Sequence, residues 1–183
     1  LDDSTAVDIV LASSSGTADK VKVKFVDVLD DVADTFDLDI AGVETLEVEL
    51  GNTGNEGYSV DLAGVTATTG SEVTMTVTKG VAADAFQILN TSSTLTTIDA
   101  SGADQGLEIT DRASVAMTIK GNDDTDIIRM ENTADVIKAG SGTDSLTVAK
   151  TLVLGGISVD LTSTGDQITT FNGSANSGIQ SGF

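Results

Sequence analysis

Three aspartates, Asp126, Asp135 and Asp144, stand nine residues apart in the stretch GNDDTDIIRMENTADVIKAGSGTDSL. Each is followed two positions later by an aliphatic residue, Ile128, Ile137 and Leu146. A short fixed period narrows the possible folds sharply, because a unit of this size has too few apolar residues for a core of its own. It must stack on its neighbours. The repeated unit is a polar turn closed by Asp-x-aliphatic. Gly121 opens the first turn, Gly140 and Gly142 lie in the third, and the middle turn, MENTAD, has no glycine. Units one and three are therefore alike, at a spacing of eighteen residues.

If units eighteen apart stack as adjacent strands, about 4.8 Å separates them. The carboxylates of Asp126 and Asp144 then approach to roughly 5 Å and repel by about 3 kcal/mol at an effective dielectric near 20. A cation between them removes that cost. Calcium accepts six to eight hard oxygen ligands, main-chain carbonyls included, and glycine turns reach backbone angles that aim carbonyls inward. Zinc and copper call for imidazole or thiolate, and the chain has neither histidine nor cysteine. The candidate metal residues are Asp126 and Asp144, with Gly121, Asp123, Asp124, Gly140 and Gly142 in the loops around them. Asp135 is the weaker member, since its neighbours eighteen residues away are Met117 and Val153. The competing reading makes these aspartates Asx-turn residues at the starts of strands.

AGSGTDSLT resembles the nonapeptide of the RTX family of secreted calcium-binding proteins, G-G-x-G-x-D followed by one residue, a large aliphatic and one more. GNDDTDIIR matches it with Asn122 and Asp124 at consensus glycines, and MENTADVIK keeps the aspartate and the aliphatic. The resemblance implies a β-roll over residues 121–146, in which two nonapeptides make one turn and calcium sits between stacked loops. AGVETLEVEL, LTTIDASGADQGLEIT and the ending GGISVDLTSTGDQITTFNGSANSGIQSGF are also similar to strand repeats of Gram-negative surface-layer proteins. That likeness implies export by a type I system, folding outside the cell and calcium-dependent assembly into a lattice.

Composition agrees with a cation-binding protein. The chain has 29 acidic and 9 basic residues, a net charge of -20, which repels nucleic acid and anionic membranes. Without cysteine it has no disulfides, and no apolar run reaches the length of a membrane span. It opens at Leu1 and ends in mid-pattern, as expected of an excised segment of a longer protein.

Along the chain, turns alternate with strand patterns. Asp19 precedes Val21, Val23 and Phe25, which alternate with lysines; Asp34 precedes Phe36, Leu38 and Ile40; Asp84 precedes Phe86 and Ile88. The acidic run Asp30, Asp31, Asp34, Asp37 and Asp39 reads as a solvated strand face. Thr74, Thr76 and Thr78 oppose Val73, Met75 and Val77; such a threonine face suits ice, although threonine is also ordinary β-branched strand filler. Strands are expected near 95–99, 107–110 and 115–119, and no helix-period stretch of useful length occurs.

The expected fold is all-β, a right-handed parallel β-solenoid or β-roll running continuously over residues 1–183, with about eight coils of roughly 18 to 25 residues. The absence of proline fits, since strands inside such a stack use every backbone donor. A β-sandwich is the alternative architecture. The expected role is structural and non-catalytic: a calcium-stabilised component of a bacterial cell-surface layer, located outside the cell. It would associate with itself or with the rest of its parent chain, without nucleic-acid binding or membrane insertion. An adhesin or biofilm matrix protein, or the β-roll of a secreted enzyme whose catalytic domain lies elsewhere, are the alternatives. Catalysis within the chain is not expected: Tyr58 is the sole tyrosine, and neither Arg112 nor Arg129 lies in a recognisable catalytic motif.

Overall fold

The computed structural model describes residues 5–9, 16–25, 34–50, 58–79, 85–159 and 165–183. Its strands are β1 (Thr5–Ile9), β2 (Lys20–Lys24), β3 (Asp34–Ala41), β4 (Thr45–Leu50), β5 (Tyr58–Thr66), β6 (Val73–Lys79), β7 (Phe86–Thr91), β8 (Leu95–Ala103), β9 (Leu107–Ile109), β10 (Thr118–Lys120), β11 (Ile127–Met130), β12 (Val136–Lys138), β13 (Ser145–Val148), β14 (Ile157–Val159), β15 (Ile168–Phe171), β16 (Ser174–Ala175) and β17 (Ile179–Ser181). The one helical turn among the described residues is the 3-10 turn Lys150–Leu152.

Strands that follow one another in the chain pair with different neighbours. The odd strands β1 to β13 form one seven-stranded sheet, here sheet A, and β2 to β12 with β17 form a second, sheet B. All pairings within both are parallel. The antiparallel pairing of a β-sandwich is confined to a small third sheet, β14-β15-β16. Apolar side chains from both large sheets join one buried cluster.

Alternation explains why these sequences become strands. In β6, Val73, Met75 and Val77 are fully buried, while Thr74, Thr76 and Thr78 face outward. In β4, Leu46 and Val48 point inward and Glu47 outward. A period of two commits each strand to one face, and burying each Leu, Ile, Val or Met is worth roughly 1.5–3 kcal/mol.

The nine-residue ladder produces the expected offset. Ile128 lies opposite Leu146 in sheet A, Ile119 opposite Ile137 in sheet B, and Ile128 and Ile137 alternate between the sheets. Toward the start of the chain the offset lengthens beyond the expected 25: Leu46 pairs with Met75, 29 residues on, and Thr5 with Phe36, 31 on. Irregular registers, as between Asp37 and Asp39, absorb part of the difference.

Two other departures have local causes. The strand expected at 115–119 is only β10, because the guanidinium of Arg112 takes the carbonyls of Ala113 and Val115 and draws this backbone into a corner. Beyond β13 the parallel progression stops. The chain forms the antiparallel hairpin at Asn172 and Gly173, whose φ angles of 51° and 77° suit a tight hairpin turn, and then returns as β17 beside β12.

Candidate cation site at the stacked glycine loops

Four corners between the sheets share one arrangement. The acidic residue immediately before the strand turns a side-chain oxygen toward the backbone N–H of the corresponding residue on the preceding rung. Asp126 Oδ1 accepts from Leu107 N at 2.6 Å, Asp135 Oδ1 from Met117 N at 2.9 Å, Asp144 Oδ1 from Asp126 N at 2.8 Å and Glu44 Oε2 from Asp19 N at 2.9 Å. These amides stand where a strand begins and would otherwise lack a partner, and a charged acceptor serves them better than a neutral one. Asn122 and Asn132 bridge rungs in the opposite sense: their Nδ2 groups donate to the Ala103 and Gln105 carbonyls and to the Ser114 carbonyl respectively. Sequence reasoning singled out the aspartates and missed Glu44, although its place directly before TLEVEL was the available signal.

The loops of units one and three lie directly on each other. Gly140 and Gly142 have φ of 116° and 138°, and a Cβ at either would overlap the main-chain carbonyl of Asn122 or Asp124. Gly121 is packed as closely between the Asp126 carboxylate and the Ala139 carbonyl. Only residues without side chains allow this approach. Beside the loops an open cleft of about 510 Å³ is lined by Ser101, Gly102, Ala103, Asp104, Asn122, Asp123 and Asp124, with the three aspartates exposed.

The structure brings Asp126, Asp144, Gly121, Asp123, Asp124, Gly140 and Gly142 to this corner. Asp126 is completely buried. Its second oxygen accepts from Asn122 N at 3.0 Å. Burial pushes its carboxyl up to about 6 against the pull of the Leu107 and Asn122 amides, and the nearby charges of Asp144 and Asp124 push the same way. Asp144 Oδ2 is buried and has no hydrogen-bond partner among the described residues, a condition shared with Asp19 Oδ2 and both side-chain amide atoms of Gln105.

Asp135 lies at the opposite corner, between β11 and β12. Its carboxylate pairs with Arg112, and its oxygens also accept from Met117 N, Glu131 N and Asn132 N. Both side chains are fully buried. Burial pushes the Asp135 carboxyl up, opposed first by the Arg112 guanidinium. Arg112 also donates from Nε to the Arg129 carbonyl at 2.8 Å and from Nη1 to the Ala113 and Val115 carbonyls, both at 3.1 Å. A guanidinium thus balances the charge here. The sole sequence signal for it was an arginine standing just before the apolar run Val115, Ala116 and Met117.

Of the other sequence-marked acids, Asp19 directly precedes β2, Asp34 is the first residue of β3, and Asp30, Asp31 and Asp84 lie outside the described residues.

The donor set at the glycine corner consists of hard oxygens, which suits calcium. Among the described residues no three Asp, Glu, His or Cys side chains gather as a metal-binding group. A calcium ion here would therefore rely on main-chain carbonyls as well as carboxylates, with Asp144 Oδ2 as the buried oxygen still to be satisfied. No protein-family model, no curated protein and no solved structure matches this chain.

Proposed function

We propose that this chain is a structural, non-catalytic element of a bacterial cell-surface layer, a right-handed parallel β-solenoid that calcium stabilises at the corner of Asp126 and Asp144. The observation carrying this reading is the stacked loop pair: glycines pressed onto the Asn122 and Asp124 carbonyls beside a buried carboxylate oxygen of Asp144 that has no partner among the described residues. Alternation of parallel strands between two sheets supports the solenoid.

Calcium would supply positive charge where burial and repulsion disfavour two ionised carboxylates. Asp144 would hold it, with the loop carbonyls and Asp126 at its side. Binding to the folded loops and hardly to the unfolded chain adds the binding free energy to folding, so the metal would gate folding outside the cell.

Thermal unfolding with millimolar calcium and with excess chelator tests the proposal. A clear rise in Tm with calcium, absent with magnesium, is expected. Equal melting temperatures in calcium and chelator would rule out the stabilising site.

A further inference from the structure

The outer faces of the two sheets differ in charge. The outer side of sheet B carries Lys20, Lys22, Lys24, Lys120 and Lys138, five of the nine basic residues, with Glu47, Glu49 and Asp99 among them. Sheet A carries Asp37, Asp39, Asp61 and Glu108, with Arg129 near the other end. Lys120 pairs with Asp99 at 2.6 Å, Lys20 with Glu47 at 2.5 Å, and Lys22 and Lys24 with Glu49 at 2.5 and 3.3 Å. Lys138 is exposed and has no ion-pair partner among the described residues.

We propose that sheet B of one copy packs flat against sheet A of a second copy whose stack runs in the opposite direction. The choice of a second copy as partner rests on the surface-layer reading; the faces and their alignment come from the charge pattern.

Both faces share one rise per rung, about 4.8 Å, so rungs of two copies stay in step along the whole contact. Numbering rungs from β1 and β2 as the first to β13 and β17 as the seventh, opposed stacks set Lys138 on the sixth rung against Asp37 and Asp39 on the second. Lys120 on the fifth meets Asp61 on the third. Glu47 on the second meets Arg129 on the sixth. The three lysines of β2 meet the neutral Ser145 and Thr147, Asp99 meets Gln87 and Asn90, and Glu108 meets the threonines of β6. Stacks running the same way would match Lys120 with Glu108 but would oppose Glu47 and Glu49 to Asp37 and Asp39, and Lys138 to Arg129. Like charges in contact are strongly unfavourable at an interface, so the opposed alignment is selected. The contact joins two different faces, so each added copy presents a fresh face and the array extends without closing.

Sedimentation velocity of the 183-residue chain in calcium at about 0.15 M salt tests this, because the Debye length of about 8 Å screens the distant net charge but not charges in contact. Wild type should associate with rising concentration. Lys138→Glu alone, and Asp37→Lys with Asp39→Lys in one chain, should each weaken association about tenfold or more. Mixing the two variants should restore it, since every contact in the mixture again joins opposite charges. All three positions are exposed, and unchanged melting of each variant confirms intact folding. Association that survives both reversals, or a mixture that fails to recover, overturns the assigned faces while leaving a self-assembling chain. A wild type that stays monomeric overturns both the faces and the assembly reading, whereas the calcium melting experiment reads neither.

Discussion

Asp144 accepts the backbone N–H of Asp126 at 2.8 Å, one rung below it, with one carboxylate oxygen, and holds the other oxygen buried without a partner among the described residues. The first bond is architectural; the second oxygen is the one that the proposed calcium ion would take. Asp144→Asn keeps an acceptor for the Asp126 amide and removes the negative charge. In chelator it should melt at or above wild type, because repulsion with Asp126 is gone. With calcium it should gain little, so wild type should overtake it. A calcium increment equal to that of wild type would exclude Asp144 from the site.

Without metal, stability should depend on pH through Asp126. Its carboxyl is pushed up to about 6 by burial, from an ordinary value of about 3.9. A raised carboxyl binds its proton more tightly in the folded state. Its contribution is complete below about pH 4 and is lost as pH rises through about 6. Chelated protein should therefore become easier to unfold in urea across that window, and calcium should reverse the loss. Asp135, raised, and Glu44, lowered, also contribute to the profile. The difference between wild type and Asp126→Asn isolates the one group, and identical slopes would refute its assignment.

Alanine scanning of glycines should separate backbone strain from close packing. Gly156, with φ of 95° and open space about it, should cost about 1 kcal/mol when replaced by alanine. Gly140 requires the same strained backbone and also displacement of the Asn122 carbonyl. Gly140→Ala should cost at least about 2 kcal/mol and should abolish the calcium increment in Tm. Equal effects at the two positions in denaturant melts would mean that the loops can part.

Removing one member of the buried pair at the other corner should be severe. Arg112→Met leaves the Asp135 charge without its guanidinium and three carbonyls without donors, a loss of about 3–5 kcal/mol. Asp135→Leu also takes the acceptor from the Met117, Glu131 and Asn132 amides, so the double variant should cost less than the sum of the two single losses, with a coupling of at least about 1 kcal/mol in a double-mutant cycle. Calcium dependence should persist in both variants, because this corner is apart from the glycine loops. Strict additivity of the two losses would show that the pair is not coupled.

The inward and outward sides of each strand, and the offset of eighteen that sets Ile128 against Leu146 and Ile119 against Ile137, were legible in the residues alone. These follow from local rules: side chains alternate with a period of two, and a repeated unit must bury its aliphatic residue against another copy. Parallel pairing followed from the same ladder. The pairing of Asp126 with Asp144, and the exclusion of Asp135 from it, could be read from the glycines and the spacing of eighteen. Tertiary structure supplied what Asp135 meets instead: at the other corner it faces Arg112, 23 residues before it. Rungs of 29 and 31 residues and the return of β17 beside β12 were decided there too. A strand's face is written in its own few residues, but what a corner carboxylate meets depends on the lengths of turns in neighbouring rungs, which no local pattern encodes.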